Sequence, residues 1–249
     1  MNLKGQNILV TGASKGIGKS IAIHLLKANA QVGIHYNKSS AEANKIKVKY
    51  PLSETFQADL GHIDQVQQLF KNTISQFGNL DTIILNAGVF LPHPIDDPTE
   101  KWLDIWRKTM AINLEAVGLL TKLGIEHFRD HGGGRFVYIG SRAAFRGETE
   151  EYLAYAASKG GLTSLARTVA RSFGKYNIKS FVIAPGFTRT EMAEDAIGKH
   201  GEEKILKELA LKELTTPEDI APLVVLMCSG QMDHATGSTI DVNAGSYIR

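Results

Sequence analysis

Short, solidly apolar runs alternate along the whole chain with longer segments whose apolar residues recur at helical spacing. The first pair is Ile8-Leu9-Val10 followed by Gly16 to Ala28, where Ile17, Ile21, Ala22, Leu25 and Leu26 line one side of a helix. Val32 to Tyr36 predicts a second strand, and Ser39 to Lys49 a charged helix behind it. Thr55 to Ala58 and Thr82 to Leu85 predict the third and fourth strands. Between them lies a helix over Ile63 to Phe77, striped by Val66, Leu69, Phe70 and Ile74. A helical stretch from Thr99 to Phe128, broken near Asn113, leads to a fifth strand at Arg135 to Ile139 and a helix from Tyr155 to Phe173. Ser180 to Ala184, a helix from Pro217 to Met227, and a short strand at Thr239 to Val242 complete the pattern.

Strands that read as continuous apolar runs, each followed by a helix, predict a parallel sheet covered on both faces. With no repeat and no Pro/Ser linker, residues 1–249 are expected to form one doubly wound α/β domain of about seven strands. Such a sheet binds its ligand at the carboxyl ends of its strands, near the point where strand order reverses.

Composition narrows the reading only a little. Hydrophobic residues are 43% and charged residues 22%, as in ordinary globular chains, so disorder is not expected. A formal net charge of +2 gives no electrostatic footprint for nucleic acid or an anionic membrane. The single cysteine, Cys228, ends an apolar run and reads as a small buried hydrophobe. No apolar stretch approaches the ~20 residues of a membrane helix, and the polar opening segment has no signal-like core. A cytoplasmic address is the simplest expectation.

Chemistry concentrates after the strands. Thr11-Gly12-Ala13-Ser14-Lys15-Gly16-Ile17-Gly18 joins the first strand to the first helix, where glycines let backbone approach a pyrophosphate at the helix amino end. The second strand ends in His35-Tyr36-Asn37-Lys38-Ser39-Ser40, with no acid to hold a ribose diol and repel a 2′-phosphate. Lys38, Ser39, Ser40 and Asn37, with Lys15, are able to accept that phosphate, although surface lysines are more often simply solvated. Tyr155 and Lys159 stand at i and i+4 on one helix face, so an ammonium sits where it would ease ionisation of a phenol that otherwise titrates near ~10. Ser141 closes the fifth strand, where it serves either a substrate oxygen or merely a turn.

The Gly-x-x-x-Gly-x-Gly spacing after Thr11, with Tyr155-x-x-x-Lys159 and Ser141, resembles the classical short-chain dehydrogenase/reductase family, particularly its 3-oxoacyl-acyl-carrier-protein reductases. Matching motifs run from Thr11 to about Gly245. The resemblance implies an NADP(H) site of Gly12, Ser14, Lys15, Gly16, Ile17, Gly18, Asn37, Lys38, Ser39, Asp59, Leu60, Asn86, Ala87, Gly88, Tyr155, Lys159, Pro185, Gly186 and Thr188. Asp59 would face the adenine amino group; a helix cap is an equal reading for it. Tyr155 would be the general acid for reduction, Lys159 would lower its pKa and bind ribose, and Ser141 would polarise the carbonyl. Asn113, in Met110-Ala111-Ile112-Asn113-Leu114, would hold a proton-relaying water. Ser141 precedes Tyr155 by 14 residues, slightly more than is usual in the family.

The implied activity is NADPH-dependent reduction of a ketone, or of a 3-oxoacyl thioester, to a secondary alcohol. An NAD-dependent alcohol or sugar dehydrogenase is the rival, and a dinucleotide-binding redox sensor a more distant one. The resemblance also implies a homotetramer and a substrate lid at about 189–214, whose Met192, Ile197 and Ile205, with Phe187 before them, suit an apolar substrate portion or plain packing. Neither a nucleic acid nor a membrane partner is expected. The histidines, His24, His35, His62, His93, His127, His131, His200 and His234, lack metal-ligand spacing, so no metal is expected. His127 and His131 read as partners of a helix dipole, and Trp102 and Trp106 as packing or subunit contact.

Overall fold

The strands run Asn7–Val10 (β1), Gln31–Tyr36 (β2), Ser53–Gln57 (β3), Thr82–Leu85 (β4), Gly134–Ile139 (β5), Ile178–Pro185 (β6) and Thr239–Val242 (β7). In the computed structural model they form one parallel seven-stranded sheet, ordered β3-β2-β1-β4-β5-β6-β7. The structure describes all residues except 192, 194–196, 199 and 200, so Met192 and His200 lie outside the described residues. Strand order reverses between β1 and β4, and ligands of such sheets enter there.

Side chains along each central strand alternate between two cores. Ile8, Val10, Ile84, Val137, Ile139, Phe181 and Ile183 face the helices Gly16–Lys27 (α1), Ser40–Lys49 (α2) and the helix Pro217–Cys228. Leu9, Ile83, Leu85, Phe136, Tyr138 and Val182 face Ile63–Phe77 (α3), the helix Ala116–Asp130 and the helix Leu153–Phe173. Both faces are apolar because both are covered, which is why the strands read as solid runs. Cys228 belongs to the first core, and burial pushes its thiol up to about 12, as a small hydrophobe rather than a nucleophile.

The expected helix from Thr99 to Phe128 is three pieces: Thr99–Met110 (α4), a π-helical turn Ala111–Glu115, and Ala116–Asp130 (α5). The break falls at Asn113, as the sequence suggests. Gly124 lets α5 approach the sheet, since a Cβ there would stand 2.6 Å from Ile83 Cδ1 and 2.7 Å from Phe136 Cζ. The loop after Ser141 contains an unexpected helical turn, Ala143–Arg146 (α6), ended by Gly147 at φ +80°. The following helix, Leu153–Phe173 (α7), starts two residues earlier than its sequence pattern, after a 3₁₀ turn at Glu150–Tyr152. Within the segment expected to form the lid, Glu202–Leu206 is helical (α8), and Pro217–Cys228 is α9. Among the described residues no helix is long and apolar enough to cross a membrane, and no group of three or more His, Cys, Asp or Glu is placed to hold a metal.

His127 departs from the dipole reading. Its Nε2 faces the Leu80 N–H at 3.1 Å and Asn79 Oδ1 at 2.9 Å, and burial lowers its pKa, with His131 adding repulsion. The ring packs against Asn79 and Leu80 in the last turn of its helix, where burial disfavours its charged form. Trp102 and Trp106 do pack: their rings stack 5.2 Å apart, and the buried His93 meets Trp102 edge-on at 4.9 Å.

Candidate active site

The glycine turn is shaped by contacts from three strands. Gly12 has φ +63°, and a Cβ there would sit 3.0 Å from Ala87 Cα. A Cβ on Gly18 would collide with the Gly12 carbonyl oxygen, so only glycine fits. Thr11 Oγ1 accepts the N–H groups of Asn86 and Ala87 at 2.9 and 3.0 Å, while Asn86 Nδ2 donates to the Thr11 carbonyl at 2.8 Å. Asn86, Ala87 and Gly88 thus buttress the turn from the end of β4.

Among the described residues no side chain caps the first turn of α1. Its N-cap, Lys15, makes no side-chain cap bond, and the turn holds no acidic residue. Its leading N–H groups and positive dipole end are therefore offered to an anion. Gly16, at φ +55°, takes a backbone conformation that favours glycine, with Thr190 3.5 Å from where a Cβ would stand. Ser14 is buried in the turn, while Ile17 packs half-buried against the core. A pyrophosphate suits this cradle of bare backbone.

His35 is the residue that sequence reasoning passed over. It is 2% exposed at the end of β2. Its Nδ1 accepts the Gly12 N–H at 2.9 Å, and its carbonyl accepts the Ala13 N–H at 2.8 Å. Nε2 then carries the ring hydrogen and donates to the Ala58 carbonyl at 3.1 Å. Only the neutral ring with that tautomer satisfies both bonds. Burial, opposed by the Ala58 bond and by Asp59, lowers its pKa to about 4. Nothing in hydrophobic periodicity reveals a histidine bridging three strands; its one signal is a polar residue inside an apolar strand.

At the outer end of β2, Asn37 and Lys38 are exposed and Ser39, the N-cap of α2, is half-buried with no cap bond of its own. Asp59 Oδ1 accepts the Gly61 N–H at 2.9 Å, and that bond chiefly holds its pKa below the usual carboxylate range. Desolvation works against the shift, and Asn37, His62 and Lys38 add to it. One oxygen is thus engaged in the local turn that the sequence allowed. Leu60 sinks its side chain into the core, leaving its backbone for any ligand. Lys15 pairs at 3.2 Å with Glu191, both side chains well exposed, and such a pair is easily given up.

Tyr155 and Lys159 lie on α7 below the ends of β4 and β5. Lys159 is 4% exposed; its Nζ donates to the Ile139 carbonyl at 2.8 Å and lies 5.8 Å from the centre of the Tyr155 ring. Burial lowers its pKa to about 8. The Tyr155 phenol is shifted upward: desolvation dominates, the Ser141 hydroxyl opposes it by hydrogen bonding, and Glu148 adds to it. Burial thus favours the neutral form of each partner. Ser141 also takes the Ala143 N–H at 3.1 Å, so it caps α6 as well as facing the phenol.

Asn113 is fully buried in the π turn. Its Oδ1 accepts the Val89 N–H at 2.8 Å, and its Nδ2 donates to the Val89 carbonyl at 2.9 Å and to Ser158 Oγ at 3.2 Å. A Cβ on Gly88 would lie 3.3 Å from Asn113 Oδ1 and 3.5 Å from Lys159 Nζ, so the three converge. The side-chain amide is thus a clasp between the β4 loop and α7, a task the sequence did not suggest.

That loop brings two more unforeseen residues. Phe90 stacks on Tyr152 at 3.8 Å and meets Tyr155 edge-on at 4.7 Å. His93 Nε2 accepts the Ala154 N–H at 2.9 Å, fixing the first turn of α7. Tyr138 is buried with its hydroxyl on Thr121 at 3.0 Å, and burial pushes its pKa up, which leaves Tyr155 as the phenol beside both Ser141 and Lys159.

Beyond β6, the Pro185 carbonyl accepts the Arg142 N–H at 3.0 Å and Gly186 N–H donates to Val242 at 2.9 Å. Thr188 is buried, its hydroxyl 3.2 Å from the Gly186 carbonyl. The Pro185-Gly186-Thr188 corner is thus tied to the residue after Ser141 and to the end of β7.

An uncapped glycine turn facing a buried tyrosine–lysine pair across a strand-order reversal is the working end of a dinucleotide-dependent oxidoreductase. A family model described as enoyl-(acyl carrier protein) reductase matches residues 12–247. The chain is 30% identical over 248 residues to the 3-oxoacyl-[acyl-carrier-protein] reductase FabG of Staphylococcus epidermidis, covering 98% of this chain and 99% of that one. An uncharacterized oxidoreductase of Thermotoga maritima is 32% identical, with 99% of both chains covered. A short chain dehydrogenase from Burkholderia cenocepacia, solved in complex with NADP, superposes with TM-score 0.89 at 29% identity, covering 99% of each chain. The chain belongs to the short-chain dehydrogenase/reductase family, whose enzymes are NAD(P)-dependent oxidoreductases.

Proposed function

We propose that this enzyme uses NADPH to reduce a ketone, or a 3-oxoacyl thioester, to a secondary alcohol. The carrying observation is the meeting of Tyr155, Ser141 and Lys159 at the carboxyl end of β5, across the cleft from the uncapped amino end of α1. The glycine turn and α1 hold the pyrophosphate, Asn37, Lys38 and Ser39 take the 2′-phosphate, and Asp59 and the Leu60 backbone border the adenine. Asn86, Ala87 and Gly88 line the adenosine side, Lys159 binds the ribose hydroxyls, and Pro185, Gly186 and Thr188 flank the carboxamide. When bound, the reduced nicotinamide supplies a hydride to the carbonyl carbon.

Tyr155 gives its proton to the carbonyl oxygen while Ser141 donates a hydrogen bond to the charge developing there. Lys159, kept partly charged near neutral pH, stabilises the phenolate left behind and returns a proton to it. Asn113 holds the relaying water, since its Oδ1 keeps a second lone pair beyond the one given to Val89. The intact set of Asn113, Ser141, Tyr155 and Lys159 argues for turnover rather than sensing. A homotetramer working in the cytoplasm completes the reading.

NADPH is favoured over NADH by the missing acid at the end of β2 and by the exposed Lys38. The structures most similar in fold include a blue fluorescent protein from a metagenomic library, solved with NADPH, at TM-score 0.90 and 29% identity. Titration by nicotinamide fluorescence is expected to show NADPH binding about tenfold or more tighter than NADH, with Lys38→Glu erasing the difference, since one charge-assisted contact is worth about 1.5–3 kcal/mol. Tighter binding of NADH would overturn the cofactor assignment.

A further inference from the structure

Arg142 directly follows Ser141, and its side chain is only 8% exposed. Among the described residues its Nη1 has no hydrogen-bond partner. Its Nη2 lies 3.6 Å from Glu208 Oε2, beyond hydrogen-bond range, and Arg146 Nη1 lies 3.9 Å from the same oxygen. Arg146 Nη2 is 3.7 Å from Glu148. A guanidinium does not shed its proton in a protein, so burying one next to another demands an anion. Desolvation, with Arg146 adding to it, pulls the Arg142 pKa down against the opposing charges of Glu208 and Glu148.

Among the described residues Glu208, which is 53% exposed near the carboxyl end of the lid segment, is the carboxylate within 4 Å of both guanidinium heads, while Glu148 acts on them from the side of Arg146. Glu208 marks where an anion settles without satisfying the buried fork. Adjacent α-carbons are about 3.8 Å apart, so the Arg142 side chain begins one residue from the serine that faces the reacting oxygen. A planar guanidinium matches a carboxylate in bidentate fashion.

We propose that Arg142 and Arg146 form a carboxylate-recognition subsite next to the catalytic centre, so that the ketone reduced here carries a carboxylate a few carbons from its carbonyl. The inference rests on the reductase reading and refines its substrate class. Glu208 is the resident competitor: substrate displaces it, and the lid end is released from the arginines as the carboxylate binds.

The test compares NADPH-dependent reduction of acetoacetate and levulinate with that of their methyl esters. The native enzyme is expected to favour each acid over its ester in kcat/KM. Arg142→Gln should reduce the acid-to-ester ratio about 30-fold, mostly through KM of the acid, which corresponds to about 2 kcal/mol for a charge-assisted hydrogen bond. Arg142→Lys should recover part of that loss. Glu208→Gln, at an exposed position that tolerates change, should raise the ratio severalfold by removing the competitor. Equal reduction of acid and ester by the native enzyme, or a ratio unmoved by Arg142→Gln and Glu208→Gln, would overturn the subsite and leave the reductase standing. Failure to reduce any carbonyl compound with NADPH would overturn both.

Discussion

Tyr155→Phe is expected to lower ketone-dependent turnover by about 10²- to 10⁴-fold while NADPH still binds, the usual worth of a positioned acid. The phenyl ring keeps its edge-on contact with Phe90 and its place on α7, so the loss isolates the proton. Steady-state oxidation of NADPH reads the rate, and nicotinamide fluorescence reads the binding. The pH profile of the native enzyme adds a second mark. Lys159 is charged below about 8, so reduction should fall as pH rises through that value and the stabilising charge is lost. Turnover of the variant at the parental rate would remove Tyr155 from the chemistry.

Acidification should destabilise the fold through His35. Its folded pKa, about 4, lies below the ordinary value of 6.5. The unfolded chain therefore binds the extra proton throughout that window, and the stabilisation present above pH 6.5 drains away as pH falls toward 4. At about 1.36 kcal/mol per unit, roughly 2 kcal/mol is lost between pH 7 and pH 5 and about 3 kcal/mol by pH 4. Protonation puts a hydrogen on Nδ1, which then opposes the Gly12 N–H instead of accepting it. His35→Asn keeps an acceptor and a donor but does not titrate. Urea midpoints at pH 7 and pH 5 should show a stability loss smaller by about 2 kcal/mol in His35→Asn than in the native protein. Equal losses would mean that the ring titrates normally.

What the sequence made legible follows from the range of the forces involved. The bounds of α3 and β4 were readable at both ends: Val66, Leu69 and Phe70 form the buried stripe of α3, Gly78 at φ +74° stops it, and the four buried residues of β4 sit between polar neighbours. The Tyr155–Lys159 pair was equally visible, because i and i+4 on a helix is a local relation. Even the break at Asn113 showed, although a five-residue π turn and an α turn have nearly the same apolar spacing.

Contacts closed by the tertiary fold did not show. The bonds from His35 to Gly12 and from Asn113 to Val89, and the stacking of Phe90 on Tyr152, join residues far apart in the chain. Periodicity tells which face a side chain takes, not which strand end it meets there. Depth below the surface is hidden for a related reason: helical spacing reports the nearness of an ammonium, whereas burial decides how much desolvation raises the Tyr155 phenol. Arg142 illustrates the same limit, since the sequence shows an arginine after a serine and the fold shows a buried one with an unpartnered nitrogen.

The most direct test of the central claim is to incubate the enzyme with NADPH deuterated at the transferable C4 position and a ketone panel that includes acetoacetate, then weigh the product. The account predicts a secondary alcohol carrying one deuterium on its carbinol carbon. NADPH that binds but delivers deuterium to no carbonyl compound would contradict it.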